Sequence, residues 1–305
     1  MLKNLLIISA LLLPFNALAK ERFVISTGSK SGVYFSVGNS LCKIFNKYQQ
    51  KRYECLVVNS LGAEDNLFRV RKLDNYLAIS QAGLQYEHFT NISPKIRSVM
   101  MLHHEYLSII SKTDQDITKL DDLLGKRINT ASEGSGSHKY FKKIMAYKDW
   151  KFRDFDNSLG YELPLMIENF CANNLVAAFY TVGHPNPAFG KLINECDGKL
   201  LSLNEQDITD LEKALGKEVT RKTIPAYSYN KQASDINTVA LPIVLSASER
   251  FPAEIISELL SIVTTHKAEL EADNPVFKQI IFKPNKDLNI APPHVGVSEI
   301  FTTQD

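Results

Sequence analysis

The sequence predicts an α/β fold made of two lobes that face each other, and three observations carry that prediction. Strands alternate with helices from Arg22 to Ser80. A second alternation of the same kind begins near Leu120, after two extended stretches. Each half also has a strand that runs straight into a glycine-bearing loop at the start of a helix, at Thr27–Gly32 and at Ser132–Ser137. Strands alternating with helices of this length read as βαβ units and a parallel sheet.

Arg22–Thr27 reads as a short buried strand ending at Gly28. Val33, Val37, Leu41, Ile44 and Phe45 then recur at helical spacing, predicting a helix over Val33–Tyr48. Glu54–Asn59 is strand-like, Glu64–Lys72 helical and Tyr76–Ser80 strand-like again. Two extended stretches, Ile96–Leu102 and Tyr106–Ser111, lie where the chain can cross between lobes. Beyond them come a short helix at Leu120–Leu124, a strand at Arg127–Ala131 and a helix at Ser137–Tyr147. A helix at Tyr161–Phe170, a strand at Val176–Val182 and a short helix at Pro187–Asn194 follow. Leu203–Leu215 reads as helix, and Val219–Ile224 and Thr238–Val244 as strands. Two helices, Pro252–His266 and Ala268–Ile280, close the pattern. No repeat period appears. The expected lobes are residues 20–108 with 230–305, and residues 109–229.

The first residues have one lysine, an apolar run from Leu5 to Phe15 and an Ala17-Leu18-Ala19 end, the three-part form of a secretory signal peptide. The run is shorter than the roughly 20 residues that a membrane-spanning helix needs. Cleavage is expected after Ala19, with the mature chain starting at Lys20; an uncleaved anchor and a buried first strand are the other readings. Without Lys3 the chain has equal numbers of acidic and basic side chains, which argues against non-specific binding to nucleic acid or to an anionic membrane surface. The four cysteines fall as two local pairs, Cys42 with Cys55 and Cys171 with Cys196. Three pairings are possible in principle. The local one suits two separate lobes in an oxidising compartment, and no C-x-x-C spacing supports the rival zinc reading.

Both loops have the makings of an anion site. A helix N-terminus offers unpaired N–H groups and partial positive charge, glycines allow close approach, and serines add donors. Either loop alone is equally an ordinary turn with a serine cap. Enzyme signatures are missing from the sequence: no P-loop, no G-x-G-x-x-G, and no G-x-S-x-G elbow. Ser40-x-x-Lys43 and Ser228-x-x-Lys231 match S-x-x-K without its companion motifs, and His103-His104-Glu105 has Ser108 where H-E-x-x-H would need histidine. No catalytic group, cofactor or metal site is expected.

The residues are specific enough for a resemblance. Thr27-Gly28-Ser29 through Gly32-Val33-Tyr34-Phe35, Ser80-Gln81-Ala82 with Tyr86-Glu87, Leu120–Arg127 and Gly134-Ser135-Gly136-Ser137 resemble motifs of the TAXI family. These are solute receptors of one class of TRAP transporters. Ala178–Pro185 is the most specific match, and the cysteine pairs also fall where this family has them. The resemblance covers essentially the whole mature chain. It implies a two-lobed type II periplasmic-binding-protein fold with the ligand cleft between lobes, a periplasmic location, and a small organic acid as ligand, glutamate or a related dicarboxylate. It also implies TRAP membrane subunits as partners. An exported sensing or surface adhesion protein on the same fold is the alternative function.

Where the family has Pro-Glu-Pro this chain has His104-Glu105-Tyr106, Lys30 replaces a small residue, and His138 follows the second loop. A ligand carboxylate is expected on Gly134–Ser137, with the Ser135 and Ser137 hydroxyls as donors. Gly28, Ser29, Gly32, Val33 and Tyr34 would close from the first lobe, and Gln81 would bond a polar tip of the ligand. Lys30 has two readings, partner of a second carboxylate or solvated loop lysine. Glu105 also has two, acceptor for a ligand amino group or member of a crossover ion pair. His184 and Pro185 either line the rim or shape the turn after a strand.

Overall fold

The computed structural model describes residues 20–30, 32–49, 52–280 and 290–297. The expected signal peptide lies outside the described residues. The elements run β1 (Glu21–Ser26), α1 (Val33–Tyr48), β2 (Tyr53–Val58), α2 (Ala63–Lys72), β3 (Tyr76–Gln81), α3 (Ala82–Asn91) and β4 (Ile96–Lys112). After a 3-10 turn at Leu120–Leu123 come β5 (Arg127–Asn129), α4 (Gly136–Tyr147), β6 (Asn157–Leu159), α5 (Leu163–Cys171), β7 (Ala177–Val182), α6 (Pro187–Glu195) and β8 (Gly198–Leu200). The chain continues through α7 (Glu205–Leu215), β9 (Thr220–Ile224), β10 (Ile236–Ser248), α8 (Ala253–Thr265) and α9 (Lys267–Asp273).

The strands join in the order β2-β1-β3-β10-β4-β7-β5-β6, with β8 on β4 and β9 on β10. β1 pairs in parallel with β2 and β3, and β5 in parallel with β6 and β7. These are two separate parallel groups. The long strands β4 and β10 run antiparallel to each other between them. Ile96–Tyr106 of β4 pairs with β10, while Tyr106–Ser111 turns to β7. Likewise β10 pairs with β3 over Ile243–Ala247 and with β9 over Ile236–Ala240.

The central strands of the parallel groups read as near-continuous apolar runs, the pattern of strands buried on both faces. Ala177–Val182 is buried at every position. In the first half Phe23 packs edge-on against Phe45 and Phe251, with ring centroids 5.0 and 5.9 Å apart. A second core gathers Met166, Phe170, Phe189 and Tyr229. Disulfides link Cys42 to Cys55 and Cys171 to Cys196. The first ties α1 to β2 and the second ties the end of α5 to the end of α6, one in each half.

The two extended stretches expected at Ile96–Leu102 and Tyr106–Ser111 are one strand, continuous through His103-His104-Glu105. Polar residues broke the apolar pattern there, but backbone pairing to β10 persists through them. Two three-residue strands, β6 and β8, were not anticipated.

Candidate functional site

β1 delivers the chain through Thr27–Gly32 into α1. Gly32, in extended conformation, precedes the helix, and no side chain caps it. Gly28, Ser29, Gly32, Val33 and Tyr34 line one wall of a cavity of about 120 Å³, joined by Ser60 and Leu61 from the turn after β2. The opposite wall comes from the second half: Ser132 before α4 and Ser137 in its first turn, Glu162 and Leu163 at the start of α5, and Tyr180, Thr181 and Val182 of β7. Glu105, on the crossing strand β4, lines the same cavity. At roughly 10–15 Å³ per water, this space suits a ligand of about ten non-hydrogen atoms.

Glu105 is 5% exposed. Its Oε2 accepts from Gln81 Nε2 at 2.8 Å and from the Tyr34 hydroxyl at 3.3 Å. Burial pushes its carboxyl up to about 8, against the opposing hydrogen bonds from Gln81, Thr181 and Tyr34. Burial, then the nearby Glu105 charge, holds the Tyr34 hydroxyl well above the usual phenol range. The hydrogen bonds continue into the second half. Gln81 Nε2 donates to Thr181 Oγ1 at 3.2 Å, and Thr181 Oγ1 lies 3.0 Å from Ser137 Oγ. Ser137 Oγ in turn accepts from the Thr181 amide at 3.0 Å. A relay of uncharged groups thus joins α1 and β3 to β7 and α4, with Glu105 at its centre.

Other contacts bring the halves together around the cavity. A Cβ at Gly62 would lie 3.1 Å from Ser135 Cα, and one at Gly134 would lie 3.3 Å from Leu61 Cβ. Both glycines have positive φ, +121° and +84°, so glycine serves the backbone and the close approach together. A Cβ at Gly136 would collide with the Gln81 amide. Farther out, Lys139 of α4 pairs with Glu87 of α3 at 3.0 Å, and Lys143 pairs with Glu87 at 3.2 Å and Glu218 at 2.7 Å.

Several expected residues lie elsewhere. Gly134, Ser135 and Gly136 are not among the cavity-lining residues. Ser135 is the N-cap of α4: its hydroxyl accepts from the His138 amide at 3.2 Å and donates to the Ser132 carbonyl at 2.6 Å. Gln81 stands behind Glu105 rather than on the cavity wall. His184 is held by Ser108 Oγ at 2.7 Å and the Tyr229 hydroxyl at 2.6 Å, and burial pushes its imidazole down to about 3. His184 and Pro185, joined by a cis peptide bond, shape the turn after β7. Lys30 is exposed and lines a separate surface groove with Lys43 and Asp273. Ser60, Leu61, Ser132, Glu162, Leu163, Tyr180, Thr181 and Val182 were not anticipated. Among the described residues no group of His, Cys, Asp or Glu could hold a metal ion, and no helix is long and apolar enough to cross a membrane.

Two parallel strand groups are thus bridged by two long antiparallel strands, with the cavity at their junction. Residues 25–303 match the NMT1-like family. The chain belongs to that family. This NMT1-like chain is similar in fold to MatC from Rhodopseudomonas palustris, solved with bound malate, at TM-score 0.56 and 11% identity, over 92% of this chain and 97% of that one. It is also similar to the alkanesulfonate-binding protein SsuA from Xanthomonas axonopodis pv. citri, solved with MOPS, at TM-score 0.51 and 13% identity, covering 94% and 86%. A putative L-cystine ABC transporter protein from Listeria monocytogenes matches at TM-score 0.53 and 11% identity, over 84% and 95%. No curated protein matches at the sequence level. The fold is therefore the two-lobed α/β fold of periplasmic solute-binding proteins.

Proposed function

We propose that this protein is an extracytoplasmic solute receptor that captures a small organic acid by closing two lobes around it. The lobes are residues 20–108 with 230–305, and residues 109–229, hinged where β4 and β10 cross. The observation that carries this reading is the cavity itself: Tyr34 with its loop on one side and Thr181 with Ser137 on the other meet over Glu105, so neither half completes the site alone. Ligand binding then shifts an open–closed equilibrium through its extra contacts in the closed state.

The bound acid's carboxylate rests on the uncapped start of α1, with Gly28, Ser29 and Gly32 beneath it, because unpaired first-turn amides and the helix dipole favour an anion there. Ser137 closes from the other lobe. The motif resemblance supports TAXI-type delivery to TRAP membrane subunits, with glutamate or a related dicarboxylate as cargo and export behind a signal peptide cleaved after Ala19. A thermal-shift screen of the oxidised mature protein against small organic acids tests the reading. A ligand that binds only the folded state raises the melting temperature, by about 2.7 kcal/mol of added stability at a hundredfold excess over Kd. A flat response across the panel would contradict it.

A further inference from the structure

The geometry points to a ligand that carries an ammonium group beside a single carboxylate: a neutral-side-chain amino acid whose nitrogen rests on Glu105. The inference rests on the receptor reading above, keeps its small organic acid, and departs from the dicarboxylate cargo that the motif resemblance suggests. The described residues lining the cavity include two carboxylates, Glu105 inside and Glu162 at the rim, and neither lysine nor arginine. The candidate cation for a second ligand carboxylate, Lys30, lies in another groove. A dicarboxylate would therefore bring two negative charges to a wall without lysine or arginine among its described residues, with one uncapped helix end to receive them.

Glu105 is surrounded by uncharged donors. Gln81, Tyr34 and Thr181 hydrogen-bond its carboxylate without supplying a positive charge. A buried carboxylate held this way is poised for a cation, because a desolvated ion pair with further hydrogen bonds is the arrangement that offsets burial of a charge. The titratable groups facing it are Tyr34 from α1, Tyr140 from α4, Glu162 at the rim, and His103 two residues back on its own strand. Both tyrosines are held well above the usual phenol range, by burial first and nearby carboxylates second. Burial pushes His103 down to about 3. None of these supplies a cation near neutral pH.

The coupling to protons has a definite sign. With its carboxyl pushed up to about 8, Glu105 is largely protonated at pH 7 in the empty site, and an arriving ammonium makes it ionise. An amine ligand therefore binds with release of a proton at pH 7 and gains affinity as pH rises toward 8. A carboxylate without nitrogen would do the opposite, taking up a proton and weakening as pH rises.

The test is calorimetry of the full-length mature protein with alanine, serine and leucine, their nitrogen-free counterparts propionate and lactate, and succinate, malate and glutamate. Titrations in two buffers of different ionisation enthalpy count protons. The expected result is that a neutral amino acid binds at least tenfold more tightly than its nitrogen-free counterpart and than glutamate, with a proton released. Glu105→Gln, which keeps the side chain's shape, then weakens the amino acid tenfold or more. If succinate, malate or lactate binds best, with proton uptake and no loss in Glu105→Gln, the ammonium inference is overturned and the receptor reading stands. If nothing in the panel binds, both are overturned. Loss of binding in Glu105→Gln counts for the inference when a cooperative melting transition shows the variant folded. Its melting temperature should lack the fall between pH 5 and 8 that ionisation of the raised Glu105 carboxyl gives the parent.

Discussion

The two glycine-bearing loops look alike in sequence and do different work in the structure. Thr27–Gly32 leads into a helix that no side chain caps, and its Gly28, Ser29 and Gly32 line the cavity. Ser132–Ser137 leads into a helix capped by Ser135, and its glycines pack against Leu61 and the Gln81 amide across the cleft. Glycine at a strand–helix turn thus supports two outcomes, close approach of a ligand or close approach of the other half. The capping serine distinguishes them, because a satisfied helix start has less left to offer an anion.

Substitutions separate these roles, and the largest effect is expected at Gly136. A Cβ there displaces Gln81 from Glu105 when the halves close, at about 3 kcal/mol for a hydrogen bond to a charged group. Ligand affinity should fall roughly a hundredfold in Gly136→Ala, while the melting temperature of the unliganded protein stays level, since the halves can rest apart. An unchanged Kd would break the claim that the second loop serves closure. Ser137→Ala comes next. It leaves the Thr181 amide without its acceptor, which costs about 1–3 kcal/mol, and both stability and affinity should drop. Ser135→Ala removes only a helix cap, worth about 1 kcal/mol. The melting temperature should fall by about 2–4 °C with affinity unchanged, and a matching loss of affinity would place the ligand on the second loop after all.

The smallest effect belongs to the outer ion pairs. Lys139 and Lys143 reach across to Glu87 from partly exposed positions, where such pairs contribute up to about 1 kcal/mol and are screened by salt. Lys139→Ala with Lys143→Ala should weaken ligand binding by about twofold to fivefold at low salt. The difference from the parent should vanish at about 1 M salt, where the Debye length is near 3 Å. A loss that persists at high salt would assign these lysines a packing role instead.

Much of this architecture was legible because strand–helix alternation is a local property. The helix over Val33–Tyr48 follows from apolar spacing, and the local cysteine pairing is the one of three that suits two separate lobes. What escaped is set by tertiary context. β6 and β8 are three residues long, too short for any periodicity. The continuity of β4 through His103-His104-Glu105 depends on β10 supplying partners, which no local pattern reveals. The site shows the same division. Tyr180 and Thr181 lie inside the Ala178–Pro185 string, the most specific motif match in the sequence, whereas the residues it offers for the rim are His184 and Pro185 at its end. The β4–β7 register puts Tyr106 beside Val182 and Leu107 beside Thr181, and that register brings Thr181 to Gln81 and Glu105. Gln81, expected to bond a polar tip of the ligand, holds the carboxylate that faces the cavity.

Closure of two lobes over the ligand is the central claim, and small-angle scattering of the oxidised protein tests it most directly. The radius of gyration should decrease when the ligand that gives the largest thermal shift is added to saturation, and Gly136→Ala should need roughly a hundredfold more ligand for the same decrease. Superimposable profiles with and without saturating ligand, at a concentration where calorimetry shows the site filled, would contradict the account.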